Sequence, residues 1–504
     1  MNDHCYYNDF GYHVFLNGKE YYKNYNYNII SLYGLNPGTT YALTVYSTEM
    51  EELGNYDFTT REELICFRSG NFGAKGDGKT DDTVAIQTAV NSCPSNGRVL
   101  IEPGIYYVGP LFFKSNITLD LAKGAVLLAH TKRTHYPVLP DAGSEDRRIP
   151  SAYTGTWEGE AAPMFASLIT GFNLENFAVV GEGVIDGNAQ NGDWWINPKE
   201  KRIAWRPRLI FLAHCKNIIL HGLTLKNSPS WTIHPFFTDQ LDLINLNIIN
   251  PKDSPNTDGI NPESCEDVNI IGSSISVGDD CIAVKSGKLE MGTRFKKPTR
   301  NLTVRNCLMK HGHGAIVLGS EMSGGIQDLC VSKCRFIDTD RGLRIKTRRG
   351  RGKYGIIDNI IFENIRMNGV LTPFVINMHY FCDLDGKTDY VQSREKFPVD
   401  HRTPHLKSFF FHNIECSECE VAALFFIGLP EQKIGSVSLE NIKVSFKSKT
   451  RKNFPAMMCG LEPTEKLGIY INQAKRVFMK NIKISGNSGD VYQLHNIDDL
   501  DIVE

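Results

Sequence analysis

The 504-residue chain has no apolar run reaching the roughly 18 residues that a membrane span requires. It has no long block of one charge sign either, and its formal net charge is −2, so bulk electrostatics argue against nucleic-acid or membrane-surface binding. Any cations that matter must act locally. The segment Met1-Asn2-Asp3-His4-Cys5-Tyr6-Tyr7 lacks both the basic and the apolar region of a signal peptide. A cytoplasmic protein is therefore expected, unless an export signal was trimmed or replaced, in which case it would be secreted or periplasmic. Thirteen cysteines form no regular framework, and Cys265, Cys281, Cys307, Cys330 and Cys334 make no CxxC pair among themselves. Lying among apolar strand residues, these five are expected to be buried thiols rather than disulfides or metal ligands.

What is present changes along the chain. Residues 1–62 are rich in Tyr and Asn, with short strands at 12–16 and 41–46 broken by the turns Asn17-Gly18 and Pro37-Gly38. This segment reads as a small β-sandwich-like unit with a spacer or docking role. Residues 63–504 read as a second unit. After Phe72-Gly73-Ala74-Lys75-Gly76-Asp77, the spacing of Val84-Ala85-Ile86-Gln87-Thr88-Ala89-Val90 is helical, with Thr80 or Asp81 able to cap its free amides. A calcium loop through Asp77, Asp81 and Asp82 fails the EF-hand spacing.

A unit with alternating apolar positions then recurs. It starts at Asn217, Gln240, Asp267, Asn301, Asp328 and Asn359, and again at Ser408, Ser436 and Arg476. Early spacings of roughly 23–34 residues fall in the range of solenoids. Each unit is too small to bury its own apolar face, so stacking is required. An all-β, right-handed parallel β-helix results, with the helix at 84–90 over its N-terminal end. Loops are expected at about 131–165, 288–299 and 380–405.

Four motifs fall on consecutive coils: Asn256-Thr257-Asp258, Gly278-Asp279-Asp280, Gly312-His313-Gly314 and Arg344-Ile345-Lys346. Taking Ile260, Ile282, Ile316 and Ile345 as equivalent inward anchors stacks Asp258 beside Asp280 and Asp279 beside His313. Arg344 and Lys346 point outward one coil further on. Strict alternation would turn Asp258 and Asp280 inward at high cost. The Asp-Asp step is therefore expected at a turn-to-strand junction. Three carboxylates with an imidazole suit glycosidic hydrolysis, in which one carboxyl protonates the leaving oxygen and a carboxylate activates water. Asp279 is the candidate acid, Asp258 and Asp280 the water-activating pair, and His313 the assistant to Asp279. Arg344 and Lys346 would bind substrate carboxylates.

These four motifs, in this order, resemble the polygalacturonases of glycoside hydrolase family 28 over about residues 65–485. The resemblance implies a right-handed parallel β-helix and hydrolysis of α-1,4-galacturonan or its oligomers with inversion, without a metal or other cofactor. It assigns Asp279 as proton donor, Asp258 and Asp280 as water activators, His313 as the assisting histidine, and Arg344 with Lys346 as the uronate-binding pair. Asn256 and Tyr380 join them as substrate contacts. Rhamnogalacturonan or xylogalacturonan hydrolysis and a non-catalytic polysaccharide-binding β-helix are the rival readings. Leu35-Asn36-Pro37-Gly38-Thr39-Thr40-Tyr41 resembles part of a fibronectin type III module. This module and the long loops look most like bacterial exo-acting members, in which loops close one end of the cleft. Segment 145–160, with Arg147, Arg148, Tyr153, Trp157 and Glu158, is a candidate for that wall.

Overall fold

In the computed structural model, residues 5–140 and 155–503 are described. The N-terminal stretch forms one antiparallel sheet of order β2-β1-β3-β4, from β1 (Tyr7–Leu16), β2 (Lys19–Tyr27), β3 (Thr40–Ser47) and β4 (Glu52–Thr59). Asn17 and Gly18 both take positive φ, 51° and 75°, the geometry a two-residue hairpin needs. The described residues hold one sheet here, so the fibronectin type III likeness is not confirmed. This sheet rests on the coils that follow. Tyr33 stacks on His221 with ring centroids 5.4 Å apart, the His221 Nε2 lies 2.9 Å from Ser31 Oγ, and Arg335 sits 4.5 Å over Tyr7.

Beyond it, parallel strands wind into a three-faced solenoid, and α1 (Thr83–Ser92) buries Ile86, Ala89 and Val90 against its N-terminal end. Asp81 accepts the backbone N–H of Thr83 at 3.0 Å, so it relieves one of the free amides at the helix start. The recurring unit has a backbone signature. Asn217, Gln240, Asp267, Asn301, Asp328 and Asn359 all adopt left-handed φ between 53° and 57°, turning the chain from one face to the next. Some of these polar side chains also bond between coils, as Asn359 Nδ2 does to Asp328 Oδ1 at 2.7 Å.

The third face carries the site. Its strands include β5 (Asp280–Val284), β6 (Gly314–Gly319), β7 (Arg341–Lys346) and β8 (Thr372–Asn377). One inward column runs through Ile169, Ile210, Ile233, Ile260, Ile282, Ile316, Leu343, Phe374, Leu424 and Ile469, each paired with the next. Burial of each such side chain contributes roughly 1.5–3 kcal/mol. The expected equivalence of Ile345 is corrected here. Leu343 pairs with Ile316, while Ile345 pairs with Leu318.

All thirteen cysteines are free thiols. Cys265, Cys281, Cys307 and Cys334 are buried as expected, whereas Cys330 is only partly so. Cys416 and Cys419 have CxxC spacing, and both are buried in the core. Of the expected loops, 288–299 contains a short helix, Leu289–Phe295, and residues 141–154 of the first lie outside the described residues. A further loop over 447–466 was not expected.

Candidate active site

The bend between the strand Ser274–Val277 and β5 holds Gly278 and Asp279, and Asp280 opens β5. A side chain at Gly278 would place its Cβ 2.3 Å from the Ser254 carbonyl, so this corner requires glycine. Thr257 ties the two acidic motifs together, its hydroxyl accepting the Gly278 N–H at 3.3 Å. Cys281 and Ile282 are both in the core. That breaks the alternation and spares Asp280 an inward position. The Ile260–Ile282 pairing, with Gly259 N donating to the Asp280 carbonyl at 3.0 Å, sets Asp258 and Asp280 at matching positions on adjacent coils.

The three carboxylates have different surroundings. Asp258 is 3% exposed and accepts from Asn261 Nδ2 at 2.8 Å. Burial and then the neighbouring Asp279 charge push its carboxyl well above the usual range. Asp280 is also buried, but it accepts from Lys346 Nζ at 2.7 Å and from Arg344 Nη1 at 3.3 Å. Against the upward effect of burial, Lys346 and then Arg344 hold it well below the usual carboxylate range. Asp279 is the more accessible, with 23% of its side chain exposed, and His313 Nδ1 lies 3.3 Å from its Oδ1. This contact to Asp279, opposed by burial, raises the imidazole to about 8.

The expected catalytic and substrate-binding residues can all be placed. His313 sits beside Asp279, its backbone N–H donating to the Asp279 backbone carbonyl at 3.0 Å. Arg344 and Lys346 leave the coil outward, and Tyr380 stands near them, with its ring 5.8 Å from the guanidinium and 5.7 Å from the ammonium. Both cations engage Asp280, which the sequence reading had not foreseen. Asn256, in left-handed conformation, accepts from Arg206 Nη2 at 2.6 Å. Trp157 is buried, stacked on Trp205 at 4.6 Å and lying 4.7 Å from the Arg208 guanidinium. It therefore packs beneath a cationic layer and offers no open aromatic face. Arg147, Arg148 and Tyr153 lie outside the described residues.

Several contributors escaped the sequence reading. Arg206 donates to the carbonyls of Pro229 and Pro255 at 2.8 and 3.0 Å and fixes the loop carrying Asn256. Its signal was the Trp205-Arg206-Pro207-Arg208 run beside a strand. Lys285, fully buried, donates to Glu321 at 2.8 Å. Burial would raise Glu321, but Lys285 and then Lys346 hold it down at about 2. Glu321 also feels Arg351, which lines a neighbouring cavity of about 830 Å³ together with Lys288, Arg348 and Asp383. None of the three aspartates of the site lines that cavity. Met457, from the unexpected loop, accepts from Arg344 Nη2 through its sulfur at 2.8 Å. No local sequence pattern marks it.

A coil wall with buried carboxylates, an imidazole and two fixed cations has the make-up of a polysaccharide-acting β-helix enzyme. Residues 148–401 match the family described as glycosyl hydrolases family 28. The chain is 33% identical over 390 residues to a probable polygalacturonase of Vitis vinifera, covering 76% of this chain and 74% of that one. It is 26% identical over 406 residues to an exo-poly-alpha-D-galacturonosidase of Dickeya chrysanthemi, covering 72% and 65%. Among solved structures, the family 28 exopolygalacturonase of Yersinia enterocolitica superposes with a TM-score of 0.72 at 21% identity, covering 98% of this chain and 93% of that one. An exopolygalacturonase of Thermotoga maritima gives a TM-score of 0.67 at 24% identity, covering 85% and 94%. The chain belongs to glycosyl hydrolase family 28. The cytoplasmic placement drawn from the first seven residues is not supported by these comparisons. No helix among the described residues is long and apolar enough to cross a membrane.

Proposed function

We propose that this protein hydrolyses the α-1,4-galacturonosyl linkages of polygalacturonate and its oligomers, working from a chain end. Family membership and the named polygalacturonase relatives support the substrate class. The carrying observation is the unequal treatment of the three aspartates, since hydrolysis needs one proton and one carboxylate held in a single site.

Asp279, the most accessible of the three, is the acid that protonates the leaving oxygen. The reaction starts from the form in which Asp279 carries the proton and Asp258 is ionised. Asp280, kept ionised by Lys346 and Arg344, orients the attacking water. Asp258, whose affinity for a proton is raised, takes the proton that this water gives up, so the anomeric centre inverts. His313 stabilises the charge left on Asp279 once its proton has gone. Lys346 and Arg344, with Tyr380 beside them, meet the uronate carboxylate, and Asn256 borders the site through Arg206.

End-on action is supported by the loop 447–466. Arg341 holds it by the carbonyls of Phe454 and Pro455 at 2.7 and 3.1 Å, and Asn377 holds the Met457 carbonyl at 2.9 Å. Met457 brings this loop against Arg344, so it walls the site on that side. Residues 1–62 serve as a docking unit and residues 63–504 as the catalytic unit. A polymer substrate supports a secreted or periplasmic enzyme.

Chromatography of early products from polygalacturonate tests this reading. Monomer alone, with new reducing ends and no ultraviolet-absorbing unsaturated ends, is expected. Mixed oligomers would overturn the end-on mode, and unsaturated ends would overturn hydrolysis.

A further inference from the structure

Away from the carboxylate wall, Asp81, His130 and His135 bring one oxygen and two nitrogen donors within 4.8 Å of one another. They come from three separate stretches: the approach to α1, the end of the strand Ala125–Ala129, and the short 3-10 turn Arg133–His135. His130 Nε2 lies 3.0 Å from Asp81 Oδ2, and the His130 and His135 rings stack 4.0 Å apart at 7°. We propose that these three side chains bind a zinc ion that clamps the N-terminal cap onto the β-helix.

The surroundings hold the donors in place, as outer-shell partners do in metal centres. Asp81 Oδ1 accepts the Thr83 backbone N–H at 3.0 Å and the Thr83 hydroxyl, which leaves Oδ2 turned towards His130. That hydroxyl in turn accepts the Gly109 N–H at 2.7 Å. The buried His130 ring lies 4.0 Å from the Tyr107 ring, and its carbonyl accepts the Tyr136 hydroxyl at 2.7 Å. His135 is exposed on its turn, and its ring would swing out of the parallel stack on His130 so that both nitrogens converge on one ion. Two imidazoles and one carboxylate suit zinc, and they do not suit calcium, which takes oxygen ligands. Asp81 and His135 both reach solvent, so water can complete a tetrahedral set. The ion would join the start of α1, the strand Ala125–Ala129 and the turn after it at one point.

The test uses the full chain, stripped with a chelator and kept reduced, and titrated with zinc chloride by calorimetry while the thermal midpoint is followed. Cobalt(II) replaces zinc for spectroscopy. One equivalent should bind and raise the midpoint, and the cobalt form should show d–d bands without a thiolate charge-transfer band. His135→Ala and Asp81→Asn should each weaken binding by at least the ~10–100-fold that loss of an outer-shell partner costs. Absence of stoichiometric binding would overturn the proposal. So would unchanged affinity in His135→Ala, or a thiolate band showing that the free cysteines take the metal.

Discussion

Lys346 Nζ lies 2.7 Å from Asp280 Oδ2, although the two residues are 66 positions apart and two coils separate their strands' starts in sequence. With Arg344 at 3.3 Å, this contact keeps a carboxylate ionised where burial alone would protonate it. Because its folded-state pKa is depressed, Asp280 contributes stability that is present above its unfolded value near 4 and is lost as pH falls below that. Lys346→Met should remove up to about 3–5 kcal/mol, softened by the remaining Arg344, because one partner of a buried ion pair is lost. Urea unfolding at pH 7 measures this loss, and the deficit should shrink towards pH 2.

Asp258 has the opposite sign. Its folded-state pKa is raised, so folding is progressively penalised as pH rises above about 4 and the buried carboxyl is driven to ionise. Asp258→Asn should therefore add ~1 kcal/mol of stability at neutral pH, seen as a higher thermal midpoint, while abolishing turnover, a trade of activity for stability. Differential scanning calorimetry beside a reducing-end assay would show both.

His313 should titrate near 8, held up by its contact with Asp279. The stability it contributes is fully present below its unfolded value of about 6.5 and is lost as pH rises through about 8. kcat/KM should fall over the same upper range. NMR titration of the imidazole checks the assignment, and in Asp279→Asn its midpoint should drop towards about 6.5.

The loop 447–466 should set the product pattern. Met457→Ala would free Arg344 Nη2 from its sulfur partner but leave the wall standing, so KM should change more than product length. Replacing residues 453–464 with a short turn should open the groove and yield oligomers from polygalacturonate. Chromatography of the products distinguishes the two variants.

Much of this architecture was legible in the chain. The polar Asn217, Gln240 and Asp267 marked where the recurring units begin, the apolar alternation marked their faces, and only the structure shows these residues in left-handed conformation. The cost of burying Asp280 inward forced a bend before Ile282, and the structure has one at Gly278-Asp279. Register failed at one coil, where Ile345 was taken in place of Leu343. A slip of two residues leaves every side chain on the same face, so alternation cannot detect it. The contacts of Met457 with Arg344 and of Arg206 with Asn256 span 113 and 50 positions. Both are made by loop residues that follow no period, and only the folded chain brings them to the site.

Catalysis here depends on Asp279 delivering the proton to the departing sugar. Asp279→Asn keeps the size of the side chain and its place in the bend while removing the acid. Turnover of a galacturonate oligomer should fall by about 10²–10⁴-fold, with the affinity for that oligomer, measured by calorimetry, kept within a few-fold. Turnover within a few-fold of the unmodified enzyme would contradict that role.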